Sequence, residues 1–396
     1  MTRKEQFMLI TLSLMIFVHV TDLMAIVPLG NYLVNDFELS PKQYTYIISA
    51  YKFSAAGFGL LGTLLIDRFE RRKVLLLVYI VFVAGLGFAA SATTYESVII
   101  ARSITGVVGS LAPALIISMI GDAIPFERRA KALGFLFTGM AAAAIAGVPF
   151  SLFLADAFNW RSAFGFMASL SLIAIILAYF GLPAASQVQE SKEPPIKVIK
   201  EILLNNNPRN ALFLSVLLYL ASFTILIFLP SYLVRNVGFD QEEVKYVYLA
   251  SGVANIVLSP FIGYLSDKFG KRKVLFILIG LFCIPALLTT HFLSSSFLPM
   301  ILTTGFFYVL VNGRMVPANA IITATVSHKY RGGLLSLISS TQQMLSGVIS
   351  LLAGLIILEN EQGGLVNYTI LGYIAVFTSL VAFIALKMIK PSQLNV

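Results

Sequence analysis

Residues 18–29, VHVTDLMAIVPL, form an apolar run that contains a histidine and an aspartate, His19 and Asp22. Residues three positions apart in an α-helix lie on the same face, about one turn from each other. A carboxylate is costly to bury in so apolar a segment unless it faces water, a cation or a proton. Since burial disfavours the charged form of a carboxylate, Asp22 could exchange a proton near neutral pH, and His19 could pair with it or relay protons to it. A purely structural hydrogen bond is the alternative interpretation of His19.

Three cations also lie within apolar segments: Lys52, Arg102 and Arg314. A lysine deep inside such a segment needs a counter-charge, and Asp22 is the one acidic residue that falls well inside an apolar segment. We therefore predict first an ion pair between Asp22 and Lys52, which protonation of Asp22 or an anionic substrate would release. The alternative is that Lys52 reaches the surface. A guanidinium does not lose its proton in practice, so Arg102 and Arg314 are fixed charges that bind anions or bias a nearby carboxylate.

Two asparagines, Asn255 and Asn312, complete the predicted polar site. Asn312 lies in the stretch VNGRMVPANA, whose proline favours a kinked helix with polar groups facing inward. One carboxylate against three cations leaves this site with a positive balance, which favours an anionic or neutral polar substrate over a bulky cation. His19 and Asp22 have no clustered cysteines or further deep histidines beside them, so we predict neither a metal site nor a cofactor.

The elements that must position these residues are membrane helices. The chain has 396 residues, of which 58% are hydrophobic and 12% charged, and its mean hydropathy is +0.87. This composition excludes an ordinary soluble domain. A helix crosses a bilayer core in about 20 apolar residues, because backbone amides in lipid must be hydrogen-bonded within the segment. The hydropathy pattern predicts twelve spans, near 7–33, 43–66, 74–93, 96–121, 130–157, 161–183, 208–234, 243–266, 274–293, 297–324, 332–358 and 367–388.

The distribution of cations between these spans predicts the orientation of the chain. Only four cations lie opposite the N-terminal side: Lys42, Arg161, Arg235 and Lys245. This asymmetry indicates that both termini and the central loop are cytoplasmic. Topology therefore accounts for the net charge of +9, and we predict no nucleic-acid partner. We expect an integral protein of a bacterial inner membrane, a monomer whose partners are lipids, protons and a small-molecule substrate.

A polar stretch with two consecutive prolines separates two sets of six spans. It predicts an N-terminal six-helix bundle at 1–183, a cytoplasmic linker at 184–207 and a C-terminal six-helix bundle at 208–396. The predicted fold class is all-α integral membrane, with twelve helices in two pseudo-symmetric bundles. Matching loops support an internal duplication, because LLIDRFERRKVLL follows the second span and GYLSDKFGKRKVLF follows the eighth.

Both of these loops place an aspartate beside a cluster of basic residues. The first copy contains Asp67, Arg68, Arg71 and Arg72. The second copy contains Asp267, Lys268, Gly270, Lys271 and Arg272. A carboxylate at a helix end can pair with basic neighbours and accept hydrogen bonds from exposed amides. The alternative is that the cations only hold the loop in the cytoplasm.

These features resemble the major facilitator superfamily over the whole chain, and within it the twelve-helix drug and sugar efflux proteins that exchange substrate for protons. The second loop copy is similar to the superfamily signature Gly-x-Leu-Ala-Asp-Arg-x-Gly-Arg-Arg, whereas Thr63 and Glu70 replace its two glycines in the first copy. The stretch IAGVPFSLFL is similar to the fifth-helix antiporter motif through Gly147 and Pro149, although Ser151 stands where such relatives often have glycine.

The resemblance implies secondary active transport by alternating access, with proton-coupled efflux of a sugar, a drug-like compound or an anionic metabolite. It further implies that the loops form a latch on neighbouring helix ends, which stabilises the outward-facing state. ARSITGVVGS is similar to the fourth-helix pattern Arg-x-x-x-Gly, which implies a proton-coupling role for Arg102. The alternatives are a uniporter or symporter for a metabolite, and a metal or metallophore carrier with His19 and Asp22 as ligands. We predict no enzyme, because the sequence has no nucleophile elbow, HExxH motif or phosphate-binding glycine loop.

Overall fold

A computed structural model describes residues 2–65, 70–182, 195–291, 296–327 and 331–390. The chain divides into two compact units, Met1–Lys192 and Glu193–Val396. The described part of the first unit contains α1 (Arg3–Phe37), α2 (Pro41–Leu65), α3 (Arg71–Ala90), α4 (Tyr95–Ala123), α5 (Phe126–Ala142), a π-helical turn (Ala143–Gly147), α6 (Val148–Ala157) and α7 (Trp160–Gly181).

The first helix, α1, begins with a capping box. The Glu5 amide donates to Thr2 Oγ1 at 3.2 Å, and the Thr2 amide donates to Glu5 Oε2 at 2.8 Å. These bonds satisfy amides that the first helical turn would otherwise leave without partners. The helix ends at Phe37, and the next residue, Glu38, adopts the left-handed conformation with φ 51°. Between its ends α1 packs against α4, α5, α6 and α7, so the centre of α1 is enclosed within the unit.

The predicted fifth span is one helical path with an interruption. It runs through α5, the π-helical turn and α6, and Pro149 lies in the first turn of α6. Proline has no backbone N–H to donate, and a π-helical turn accommodates the resulting change in hydrogen-bond register.

The described part of the second unit is also helical, apart from one short hairpin. It contains α8 (Pro195–Leu204), α9 (Asn206–Leu226), α10 (Leu229–Tyr232), a π-helical turn (Leu233–Val237), α11 (Gln241–Phe269), α12 (Lys271–His291), α13 (Phe297–Gly313), α14 (Met315–Ala324), α15 (Arg331–Ile356), β1 (Leu358–Glu359), β2 (Leu365–Val366) and α16 (Tyr368–Met388). The two strands pair antiparallel, with Leu358 opposite Val366.

Helix α8 occupies part of the segment that the sequence predicts as a linker. Its Ile202 is buried in an apolar cluster with Leu214, Leu334 and Leu386, from α9, α15 and α16. An amphipathic helix buries its apolar stripe against a neighbouring surface, so α8 packs on the core of the second unit. Residues 184–194 of the predicted linker lie outside the described residues.

The fold class is confirmed, since the described chain consists of long apolar helices. Ten helices, two of them continued through π-helical turns, are long and apolar enough to cross a membrane among the described residues. The two predicted spans outside this set have identifiable features. Helix α2 contains Lys42 and Lys52, and the span predicted at 297–324 is divided at Arg314 into α13 and α14, of 17 and 10 residues.

Candidate functional site

The centre of the first unit holds a buried ion pair between α1 and α4. Arg102 Nη1 donates to Asp22 Oδ1 at 2.5 Å, and the two side chains are 1% and 0% exposed. The first-choice pairing of Asp22 with Lys52 is therefore wrong, because Arg102 supplies the cation at this carboxylate. Lys52 is itself buried, and its Nζ lies 5.7 Å from the centroid of the Tyr51 ring. Solvent does not reach these two charges. Each charge is instead stabilised by its hydrogen-bonded partner of opposite sign.

Tyr51 packs its ring against the arginine of this pair. The Arg102 guanidinium carbon lies 4.5 Å from the Tyr51 ring centroid, a cation–π contact. Two glycines of α4 allow the approach: a Cβ on Gly106 would lie 2.4 Å from the Tyr51 carbonyl oxygen, and a Cβ on Gly109 would lie 2.4 Å from Tyr51 Oη. The Arg-x-x-x-Gly spacing thus places a fixed charge one turn from a tight contact between α2 and α4.

His19 is buried beside the pair without bonding to it. Its ring centroid lies 5.9 Å from that of Phe82, and the ring also meets the backbone of Gly109. Among the described residues, no hydrogen bond joins His19 to Asp22, and neither His19 Nδ1 nor Asp22 Oδ2 has a partner. The two residues share one helix face, as the spacing predicts, but the imidazole turns toward α3. The direct pairing of His19 with Asp22 is therefore not formed.

The helix that resembles the antiporter motif packs next to Asp22. A Cβ on Gly147 would lie 2.2 Å from Thr21 Oγ1, on the residue that precedes Asp22. Ser151 donates its hydroxyl to the Gly147 carbonyl at 2.8 Å. Gly147, with Pro149 two residues later, therefore sets how closely this helix approaches α1 beside the carboxylate.

The second unit buries an arginine in a different environment. Arg314 is 0% exposed, and its Nη2 donates to the Leu218 carbonyl and to Ser222 Oγ, both at 2.6 Å. Its Nη1 donates to Ser379 Oγ at 3.3 Å, and its guanidinium carbon lies 3.6 Å from the Phe282 ring centroid. Within the described part of the chain, no carboxylate pairs with Arg314. This charge is held by neutral oxygens and an aromatic face.

The two predicted asparagines do not reach Arg314. Asn312 donates to the Tyr308 carbonyl at 3.2 Å, and Asn255 donates to the Ser251 carbonyl at 2.8 Å, each within its own helix. Sequence reasoning missed the Arg314 partners Ser222, Ser379 and Phe282. A hydroxyl within an apolar helix was the only available signal, and it is too common to single out these positions.

In the first loop motif, the described basic residues bind neighbouring helix ends. Arg71 forms an ion pair with Asp122 in the last turn of α4, and Arg72 donates to the Tyr179 carbonyl near the end of α7. Asp67 and Arg68 of this motif lie outside the described residues. These contacts join the start of α3 to the ends of α4 and α7.

The second loop motif makes a similar contact within its own unit. Arg272 donates to the Lys387 carbonyl at 3.1 Å, in the last turn of α16. Lys271 Nζ lies 3.8 Å from Asp267 Oδ1, and Lys268 Nζ lies 5.4 Å from the Phe269 ring centroid. The path of the loop depends on Gly270, whose φ of 93° favours glycine.

The first loop follows a different path at the matching position. Glu70 has φ −61°, an ordinary value for any L-residue, which explains how this copy dispenses with a glycine there. The described residues contain no group of three or more His, Cys, Asp or Glu side chains that could hold a metal ion.

Comparisons with known proteins agree with this architecture. A sequence model described as Major Facilitator Superfamily matches residues 12–213 and 211–394. The MFS-type transporter YtbD of Bacillus subtilis is 24% identical over 255 residues, which are 64% of this chain and 63% of the length of YtbD. A protein named probable sugar efflux transporter, from Mannheimia succiniciproducens, is 24% identical over 289 residues, or 71% of each chain.

Solved structures show the same fold. The crystal structure of a D-xylose-proton symporter superimposes with a TM-score of 0.79 over 95% of this chain and 97% of that chain, at 18% sequence identity. At this identity the likeness concerns the fold alone. It agrees with the predicted all-α membrane architecture.

Proposed function

This chain belongs to the major facilitator superfamily, and from that premise we propose that it is a proton-coupled secondary transporter that exports a small organic solute by alternating access. In that mechanism the two halves of a transporter change their arrangement, so that a binding site opens to one side of the membrane at a time. The proposed activity is the movement of a solute, without chemical conversion.

The buried pair of Asp22 and Arg102 carries the proposal. Asp22 Oδ1 is bonded to Arg102, whereas Oδ2 accepts no hydrogen bond among the described residues. A proton that binds to Asp22 neutralises the carboxylate and leaves the permanent charge of Arg102 without its counter-ion. The protonated and ionised forms of the pair therefore favour different surroundings. This difference can couple protonation to the conformation of the first unit.

Arg314 supports the proposed substrate class, a sugar, a drug-like compound or an anionic metabolite. The described second unit places a buried guanidinium among neutral oxygens, with no carboxylate paired to it among the described residues, so the polar positions around it have a positive balance. That balance favours neutral polar or anionic solutes over cations. The name of the Mannheimia relative, probable sugar efflux transporter, supports a sugar as the first solute to test.

The proposed orientation follows the cations of the loops. We assign both termini to the cytoplasmic face of a bacterial inner membrane, in a monomer of two six-helix bundles. In this arrangement Arg71, Asp122 and Arg272 lie at cytoplasmic helix ends, where the latch would stabilise the outward-facing state.

A transport assay tests the proposal. Proteoliposomes that contain the purified protein are loaded with a radiolabelled sugar, organic acid or drug, and efflux is measured with and without a pH gradient. We expect wild type to accelerate efflux of at least one solute when protons can enter in exchange. Asp22→Asn should lose this acceleration but keep solute exchange at equal pH, while Glu361→Gln, which removes an exposed carboxylate, should behave as wild type. Equal acceleration in wild type and Asp22→Asn would contradict the role of Asp22.

A symporter is the second candidate, because a proton taken up by the buried pair of Asp22 and Arg102 could be coupled to co-transport as well as to exchange. The same proteoliposomes distinguish the two, because a symporter accumulates solute on the side that protons enter. A uniporter would show no effect of the pH gradient in any variant.

A further inference from the structure

A large cavity in the first unit lies apart from the buried ion pair, at the ends of α1, α3, α4 and α7. Its volume is about 780 Å³, and its walls combine the basic residues Arg3, Lys4, Arg71 and Arg72 with apolar side chains such as Phe7 and Phe180. It is therefore a basic cavity with an apolar wall. We propose that this cavity binds an anionic phospholipid, with the phosphodiester held by the basic residues and an acyl chain against the aromatic side.

The charge balance of the cavity favours an anion. Its two carboxylates already have arginine partners: Glu5 accepts from Arg128 at 2.9 and 3.1 Å, and Asp122 is paired with Arg71. Arg3 and Lys4 are exposed and form no ion pair within the described ranges. They contribute positive charge that the cavity itself does not neutralise.

Backbone geometry leaves this charge balance nearly unchanged. The cavity meets the first turns of α1 and α3 and the last turns of α4 and α7, whose opposite partial charges offset one another. Arg72 donates to the Tyr179 carbonyl and thus keeps its full charge near the cavity wall. A phosphate group is the anion whose charge and several acceptor oxygens suit such a set of donors.

The apolar wall distinguishes a lipid from a soluble phosphate. Phe7 lies against Gly181, where a Cβ would approach its ring to 2.1 Å, so the ring and the end of α7 form one surface. Phe180 beside it is 78% exposed. Aromatic residues at helix ends are typical of the membrane interface, where one side meets headgroups and the other acyl chains. Under the proposed orientation, this interface belongs to the cytoplasmic leaflet, whose anionic lipids attract basic segments.

Thermal unfolding of the full-length protein in a neutral detergent tests the proposal. The protein is titrated with phosphatidylglycerol, with phosphatidylcholine of the same acyl chains, and with glycerol phosphate as the soluble headgroup. We expect a saturable rise in melting temperature with phosphatidylglycerol that the other two compounds do not reproduce, since a ligand stabilises the state that binds it. An equal rise with phosphatidylcholine, or with glycerol phosphate, would overturn the proposal.

Matched variants locate the site. Arg3→Gln combined with Lys4→Gln should weaken the apparent affinity for phosphatidylglycerol by roughly fivefold for each cation. Lys273→Gln combined with Lys387→Gln removes two exposed cations of the second unit and should leave the affinity unchanged. Equal affinities in the two double variants would contradict the assignment to this cavity.

A variant of Phe180 tests the contact between the apolar wall and the acyl chain. Phe180→Ala should reduce the response to phosphatidylglycerol without changing the melting temperature in detergent alone, and an unchanged response would contradict an acyl-chain contact. Because melting requires neither a solute nor a pH gradient, failure of the lipid site and failure of the proposed transport activity are separate results.

Discussion

Asp22 Oδ1 and Arg102 Nη1 lie 2.5 Å apart, in a hydrogen-bonded pair that is closed off from solvent between α1 and α4. The buried arginine of the tenth predicted span, Arg314, is held instead by Ser222, Ser379 and a carbonyl oxygen. The two halves thus bury an arginine in helices that the duplication makes equivalent, but among the described residues only the arginine of the first half is paired with a group that can take up a proton. This asymmetry supports the proposal that protons couple to transport through the first half.

The close approach of α2 and α4 should be sensitive to a single methyl group. A Cβ on Gly106 would lie 2.4 Å from a backbone oxygen, whereas a Cβ on Gly57 of α2 would meet nothing within 4 Å. Gly106→Ala should therefore destabilise the protein by about 1–3 kcal/mol, a typical effect of overpacking. Gly57→Ala should leave stability nearly unchanged. Thermal unfolding of both variants checks this, and equal melting temperatures would contradict the packing described.

The two serines at Arg314 should differ in their contributions. Ser222→Ala removes a bond of 2.6 Å to the guanidinium, and Ser379→Ala removes one of 3.3 Å. A hydrogen bond to a charged group contributes about 1.5–3 kcal/mol, so Ser222→Ala should lower the free energy of unfolding by that amount and Ser379→Ala by less. Chemical denaturation in detergent measures both, and the reverse order would contradict this geometry.

The ion pair of Arg71 and Asp122 should tolerate an exchange of its two charges between the positions. Either Arg71→Asp or Asp122→Arg places like charges together at the end of α4 and should slow transport several-fold, because the latch cannot close. The double exchange should recover much of the wild-type rate in the proteoliposome assay. Lys73→Gln, which alters a lysine that is 80% exposed, is the control and should have little effect. Failure of the double exchange to improve on the single variants would count against a latch.

The hairpin between α15 and α16 should depend on one asparagine. Asn236 donates to the Leu365 carbonyl and accepts from the Leu365 amide, both at 2.9 Å. Loss of both bonds in Asn236→Ala should raise hydrogen exchange across residues 358–366 by about tenfold. Arg235→Gln removes a partly exposed ion pair with Glu359 and a long hydrogen bond of 3.5 Å to the Gly363 carbonyl, and it should raise the exchange by less than about fivefold. Exchange measured by mass spectrometry compares them, and a larger effect of Arg235→Gln would contradict this ranking.

Helix positions and the depth of Asp22 could be predicted from the sequence, because the bilayer imposes a length on apolar segments and a cost on buried charge. The partner of Asp22 could not be predicted in this way. Choosing between Lys52 and Arg102 requires the rotation of three helices about their axes, which depends on small residues such as Gly106 and Gly147 at the contacts.

The partners of Arg314 could not be predicted from the sequence for a similar reason. Its partners come from α9 and α16, which are remote in sequence from Arg314. The spacing of Asn312 suggested a nearby polar group, but this side chain bonds to its own helix. Contacts within one helix follow from periodicity, whereas contacts between helices depend on packing.

Proton release on solute binding tests most directly whether Asp22 carries the coupled proton. Purified protein in weakly buffered detergent solution is mixed with each solute that shows transport, and the pH change is recorded for wild type, Asp22→Asn and Glu361→Gln. We expect wild type and Glu361→Gln to release protons on binding, and Asp22→Asn to bind the solute without release. Binding without proton release in wild type, or equal release in Asp22→Asn, would contradict the assignment of the coupled proton to Asp22.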